Sequence, residues 1–143
     1  MNPVQRFIEF AAAFEKSFVD DDWSRLEDFL TEDAVYEVTG GPPLGGRWEG
    51  RNAVLAQLKA SCDGLDRRFD ERKTELLGAP VAEGDSVTFA WRGTYVLAGK
   101  PDLVFGGTER VEFERDRIRF FTDLIPEEDA QATYAYLETH LAN

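Results

Sequence analysis

An α+β architecture, helices first and a mostly antiparallel sheet after them, is expected from where the periodicities fall. Apolar residues recur at spacings of three and four from Val4 to Phe18 and again from Trp23 to Leu30, the period of helices that bury one face. From Val87 to Ile125 the pattern changes to alternation broken by short turns, the period of strands. With no repeat, low-complexity tract or linker between these parts, one domain spanning 1–143 is expected, its sheet curling over the helices.

The first helix carries Val4, Phe7, Ile8, Ala11, Phe14 and Phe18 on one broad face. Asp20-Asp21-Asp22 interrupts it, and three adjacent carboxylates at a turn suit a cap for the next helix, that of Trp23, Leu26, Phe29 and Leu30. Ala34 to Val38 is short and β-rich and runs into Thr39-Gly40-Gly41-Pro42-Pro43 and Gly45-Gly46. This cluster lacks the spacing and the following lysine of a phosphate-binding loop, so it is read as the rim of a pocket. Asn52, Val54, Leu55, Leu58 and Cys62 make a third helix that Gly64 ends.

Arg67 to Leu77 is charged and alternates poorly, which suits an edge strand protected from pairing with other chains. After Glu83-Gly84-Asp85, Val87, Phe89, Trp91, Tyr95 and Leu97 alternate with Thr88, Ala90, Arg92, Thr94 and Val96. Gly99-Lys100-Pro101-Asp102 turns the chain into Val104–Ile125, two strands joined at Glu114-Arg115-Asp116-Arg117 that complete a three-strand meander. Pro126 opens a last helix, with Glu127, Glu128 and Asp129 where the helix dipole favours negative charge and Ala130, Tyr134, Leu137 and Leu141 as its apolar stripe.

Composition narrows the function. Of 143 residues, 43% are hydrophobic and 13% aromatic, eleven of them Phe, enough to line an apolar cavity. The formal charge of -12 repels phosphate backbones and anionic lipid, so no nucleic-acid or membrane partner is expected. No apolar run approaches the ~18 residues of a membrane helix, and MNPVQRF lacks a signal peptide's charged start and apolar middle; a cytoplasmic location is the expectation. One cysteine, Cys62, and one histidine, His140, rule out an intrachain disulfide, a cysteine metal cluster and a multi-histidine site within one chain. Cys62 reads as core filler, and neither metal nor cofactor is expected.

Two acids remain, Glu109 and Asp123, inside strands that also carry Phe113, Phe120, Phe121 and Ile125. A carboxylate held among such residues costs free energy unless it is paired, hydrogen-bonded or protonated, which marks both for chemistry. The register of the preceding strand matters too. If Arg92 and Thr94 face the pocket, Trp91 and Tyr95 face the other way, and an apolar outer face favours a homodimer through the sheet. A bulge at Gly93 would reverse part of that assignment.

The order of elements, with Thr31-Glu32-Asp33-Ala34, Gly46-Arg47-Trp48-Glu49-Gly50-Arg51 and the ending FERDRIRFFTD, resembles the superfamily that contains ketosteroid isomerase, SnoaL-like polyketide cyclases and limonene-epoxide hydrolase, the nuclear transport factor 2-like fold. The resemblance spans nearly the whole chain and implies a cone-shaped sheet around a deep apolar pocket, usually in a dimer. Set against ketosteroid isomerase, the general-base position falls on Val38, the tyrosine donor on Phe14, and the neutral carboxylic-acid donor on Glu109. Set against limonene-epoxide hydrolase, Tyr36, Arg92 and Asp123 match, whereas Val38 and Thr94 replace the partner asparagine and the second aspartate. The cyclase acid/base on the last strand also falls on Asp123.

From these positions the resemblance implies a cofactor-independent enzyme acting on a hydrophobic, oxygen-bearing small molecule by acid/base chemistry, as an isomerase, a cyclase or an epoxide hydrolase. Asp123 would be the acid/base, Arg92 would orient it, Tyr36 would hold water or a substrate oxygen, and Glu109 would be the second acid. Trp48, Phe14, Val38, Thr94 and Phe121 would contact the substrate. The alternative is a non-catalytic small-molecule-binding or interaction domain that keeps the pocket and has lost the chemistry.

Overall fold

Asn2 and Pro3 start the first helix, α1 (Pro3–Asp20), in the computed structural model, which describes residues 1–141. The Asn2 side chain accepts a hydrogen bond from the Gln5 amide at 3.1 Å, and proline at the first position has no N–H to leave unsatisfied. Asp21 ends the helix in the left-handed region, at φ 59. Asp22 then caps the segment Trp23–Phe29 by accepting from the Ser24 amide at 3.2 Å. That segment is a 3-10 helix rather than an α-helix, a tighter form used in short pieces.

The chain continues through β1 (Leu30–Val38), β2 (Gly46–Glu49), α2 (Arg51–Gly64), β3 (Glu71–Leu76), β4 (Val81–Glu83), β5 (Ser86–Val96), β6 (Leu103–Glu114), β7 (Arg117–Leu124) and α3 (Glu127–Tyr136). The strands form one sheet in the order β2-β1-β7-β6-β5-β3, with β4 also paired to β5. The expected meander is β5, β6 and β7. One pair departs from the antiparallel pattern: β1 runs parallel to β7, with Tyr36 opposite Phe121 and Val38 opposite Asp123. Gly106 and Gly107 permit the tight packing of the meander, because a Cβ there would strike the Trp91 and Leu124 carbonyls of the flanking strands.

The main core lies between α1, α2 and the inner face of the sheet, around Phe10, Leu26, Val54, Val87, Val111 and Ile118. Ile8 departs from the apolar face expected of α1, being half exposed. The third-helix prediction is borne out by α2, whose Val54, Leu55, Leu58 and Cys62 are all buried. Cys62 is 1% exposed, and burial pushes its thiol up to about 12.

The last helix is rotated from the expected stripe. Tyr134 is 47% exposed, while Ala130, Thr133 and Tyr136 are buried. Two anchors fix that rotation: Asp129 Oδ2 accepts from the Gly106 amide at 3.0 Å, and the Tyr136 hydroxyl donates to the Pro101 carbonyl at 2.6 Å. Leu137–Leu141 continues as a π-helical turn. Among the described residues no helix is long and apolar enough to cross a membrane.

Candidate active site

A cavity of about 720 Å³ opens between α1, α2 and the inner face of the sheet. Alternation decides what reaches it. On β5 the inner residues are Phe89, Trp91 and Tyr95, and all three line the cavity. The pairings of β5 with β3 and β6 run unbroken through Gly93, so no bulge shifts the register. Arg92 and Thr94 therefore point to the outer face. Arg92 is 51% exposed in its side chain, with a loose contact of 3.6 Å to Glu75. The reading of Arg92 as an orienting group and of Thr94 as a substrate contact is thus corrected, and Trp91 and Tyr95 supply no apolar outer face. Gly93 makes room for the inward aromatics, since a Cβ there would come within 2.9 Å of the Tyr95 ring.

The two strand acids do meet. Glu109 and Asp123 are direct partners in the β6–β7 register, which puts their Cβ atoms about 5 Å apart on one face of the sheet. Both line the cavity. Tyr36 reaches across from β1, and its hydroxyl donates to Asp123 Oδ2 at 2.8 Å. The tyrosine is held by Phe121 at 4.7 Å between ring centres and by Trp48, stacked on it at 5.6 Å. Trp48 thus supports Tyr36 and does not line the cavity, whereas Phe14, Val38 and Phe121 line it.

Two carboxyls in so little space cannot both ionise at low cost. Each keeps some surface toward the cavity, but both lie deep enough that desolvation is the largest cause of their upward shifts. For Glu109, the Asp123 charge and the hydrogen bond to it push further in the same direction, well above the usual carboxylate range. For Asp123, the neighbouring Glu109 carboxyl, the hydrogen bond from Tyr36 and the nearby Trp91 N–H pull the other way. These causes favour a proton on Glu109 and the charge on Asp123.

Satisfaction of the polar atoms agrees with that assignment. With both carboxyls ionised, Asp123 Oδ1 is buried without a donor, and a proton on Glu109 supplies one. The Trp91 Nε1 proton lies near enough to favour the Asp123 anion but is not aligned as a hydrogen bond, and it too is buried and unpaired. Tyr36, buried against the two acids, has its phenol pushed well above its ordinary value, so it acts as a donor. Its hydroxyl is committed to Asp123, and in this structure it performs the orienting task expected of Arg92.

A second polar group lies elsewhere on the same wall. Arg72 of β3 sits 2.7 Å from Asp66 through its Nε, a close ion pair in which the Nε–H points past the carboxylate. Asp66 is nonetheless raised to about 6, burial outweighing the attraction of Arg72. Trp91, Tyr95, Asp66 and Arg72 all line the cavity and escape the sequence reading. Arg72, Thr74 and Leu76 keep the strand period, but their charged neighbours hide it. Among the described residues no three His, Cys, Asp or Glu side chains converge in a set that could hold a metal ion.

The sequence matches the SnoaL-like domain family over residues 4–121. Among curated proteins it has no match. Among solved structures, Bal32a from a soil-derived mobile gene cassette is 22% identical, with a TM-score of 0.69 over 93% of this chain and 98% of that one. An LEH-like epoxide hydrolase of M. tuberculosis is 17% identical, with a TM-score of 0.65 over 98% of both chains. A protein of Catenulispora acidiphila with a ketosteroid isomerase-like fold is 16% identical, with a TM-score of 0.63 over 87% of this chain and 90% of that one. At these identities the likeness is one of fold.

Proposed function

We propose, from the premise that the chain belongs to the SnoaL-like domain family, that it is an acid/base enzyme that moves a proton within a hydrophobic carbonyl compound. The observation that carries the reading is the Glu109–Asp123 pair, two carboxyls set side by side at the wall of an apolar cavity. A neutral acid beside a carboxylate supplies both halves of an enolisation. Asp123 removes a proton from the carbon next to the carbonyl, and Glu109 gives its proton to the carbonyl oxygen. Asp123 then returns the proton to the same or a conjugated carbon, and Glu109 recovers its own as the carbonyl re-forms.

Tyr36 is a positioning residue in this scheme. Its hydrogen bond holds Asp123 Oδ2 and opposes the upward shift that burial imposes, which favours a carboxylate ionised at rest. Phe14, Val38 and Phe121 line the apolar wall that excludes water from the enolate. Ring opening of an epoxide through an arginine-bridged pair is not favoured, because Arg92 lies on the outer face. Isomerisation and ring closure both begin with the same proton abstraction.

The test needs no natural substrate. A hydrophobic methyl ketone such as 4-acetylbiphenyl is incubated with the protein in heavy water, and loss of its methyl proton signal is followed by NMR. The native protein is expected to accelerate exchange at least about tenfold over buffer, and Asp123→Asn to abolish the acceleration with its circular dichroism unchanged. No acceleration over buffer by the native protein would instead support a binding domain without chemistry, and exchange by Asp123→Asn at an accelerated native rate would remove Asp123 from the reaction.

A further inference from the structure

The acid pair occupies one part of the cavity, and a second set of polar side chains that the mechanism does not use occupies another. Arg72 lies directly opposite Tyr95 in the β3–β5 register, so the two project from the same inner face. The Arg72 side chain is 10% exposed, 2.7 Å from Asp66 and 3.2 Å from Glu15 of α1. Its guanidinium lies 4.4 Å over the Phe18 ring. Its Nε is paired with Asp66, with the N–H poorly aligned on the carboxylate. Glu15, Asp66, Arg72 and Tyr95 line the same cavity as Glu109 and Asp123. Phe89 stands opposite Glu109 and Tyr95 opposite Arg72, so the two polar parts lie at different levels of the same curved wall.

We propose that Arg72 and Asp66 form a second subsite, and that the substrate is a hydrophobic carbonyl compound bearing an uncharged hydroxyl at the end remote from its reacting carbon. The proposal takes its reacting end from the proton-transfer reading. Charge chooses the group at the other end. A carboxylate there would meet Glu15 and Asp66, an ammonium would meet Arg72, and a plain hydrocarbon would lay apolar surface against an ion pair. A hydroxyl accepts from Arg72 and donates to Asp66, which satisfies both. A site built for such a group rejects the analogue that lacks it far more strongly than an apolar pocket rejects a missing methylene.

Two probes that differ by one hydroxyl test this: 4-acetyl-4′-hydroxybiphenyl and 4-acetylbiphenyl, titrated into the full chain at pH 6.5 with tryptophan fluorescence as the readout. The hydroxylated probe is expected to bind at least about tenfold more tightly. Asp66→Ala and Arg72→Met are each expected to bring the ratio to about one while leaving the plain probe within about twofold of its native affinity. Equal affinity of the native protein for the two probes overturns the proposal, whether or not either variant folds; so does a ratio that survives both substitutions. The outcome is separable from the chemistry. A preference retained by a protein that exchanges no protons sinks the enzyme reading alone, and exchange without the preference sinks only the subsite.

Discussion

Replacing Glu109 by glutamine is expected to flatten the pH dependence of stability, by an amount that follows from where the proton sits. Glu109 is raised well above its ordinary value of 4.5 in the folded chain. Above that value the unfolded chain releases the proton while the native chain keeps it. Stability from this group is therefore complete below the unfolded value and is lost as pH rises through the folded one. The loss is about 1.4 kcal/mol for each pH unit over which the native chain keeps a proton that the unfolded chain has released. Glutamine is close in size, donates an N–H to Asp123 in place of the carboxyl proton, and has nothing to ionise. The variant should gain on the native protein with that slope as pH rises above the unfolded value. Urea unfolding followed by tryptophan fluorescence at several pH values gives the two curves. Parallel curves would refute the assignment of the proton to Glu109, because Asp66 and Asp123 titrate in both proteins.

Asp66→Asn should remove a second slope of the same sign. The native group is raised from 3.8 to about 6, so its contribution of about 3 kcal/mol is intact below pH 4 and lost by pH 6, and unfolding curves at pH 4 and 6 should differ less in the variant. Tyr36→Phe deletes a donor that lowers the Asp123 pKa; the rising limb of the exchange rate against pH should move to higher pH, and an unmoved limb would deny the tyrosine its positioning role. Arg92→Ala removes an exposed charge from the outer face, and both stability, within about 0.5 kcal/mol, and ketone exchange should be unchanged.

Much of the fold follows from periodicity because the elements are long and one-sided. Phe7, Val54, Leu55, Leu58 and Cys62 bury where their spacing puts them, whereas the buried Phe10 lies off the expected face. The two acids were legible for a related reason, since Glu109 and Asp123 break an apolar pattern; that they meet comes from the register of the hairpin joined at Glu114-Arg115-Asp116-Arg117. The orientation of β5 was not legible. Trp91 and Tyr95 alternate with Arg92 and Thr94 so regularly that either set could face inward, and what decides is packing on Phe105 and Phe69, more distant in sequence. Nor could the parallel β1–β7 pair be foreseen, since it joins segments from opposite ends of the chain. It is this pair that brings the Tyr36 hydroxyl to Asp123.

Cys62 has a use outside any reaction. Sealed against the sheet and with its thiol pushed to about 12, it is closed to alkylating and disulfide reagents so long as α2 stays seated. In a denatured chain the same thiol returns to ordinary reactivity. The protein thus carries a native clock for its own opening: the rate at which a thiol reagent consumes it reports how often the helix lifts away, with no label added and no residue changed. Ligands that fill the adjoining cavity can be ranked by how far they slow that clock, including ligands the fluorescence of Trp91 cannot register.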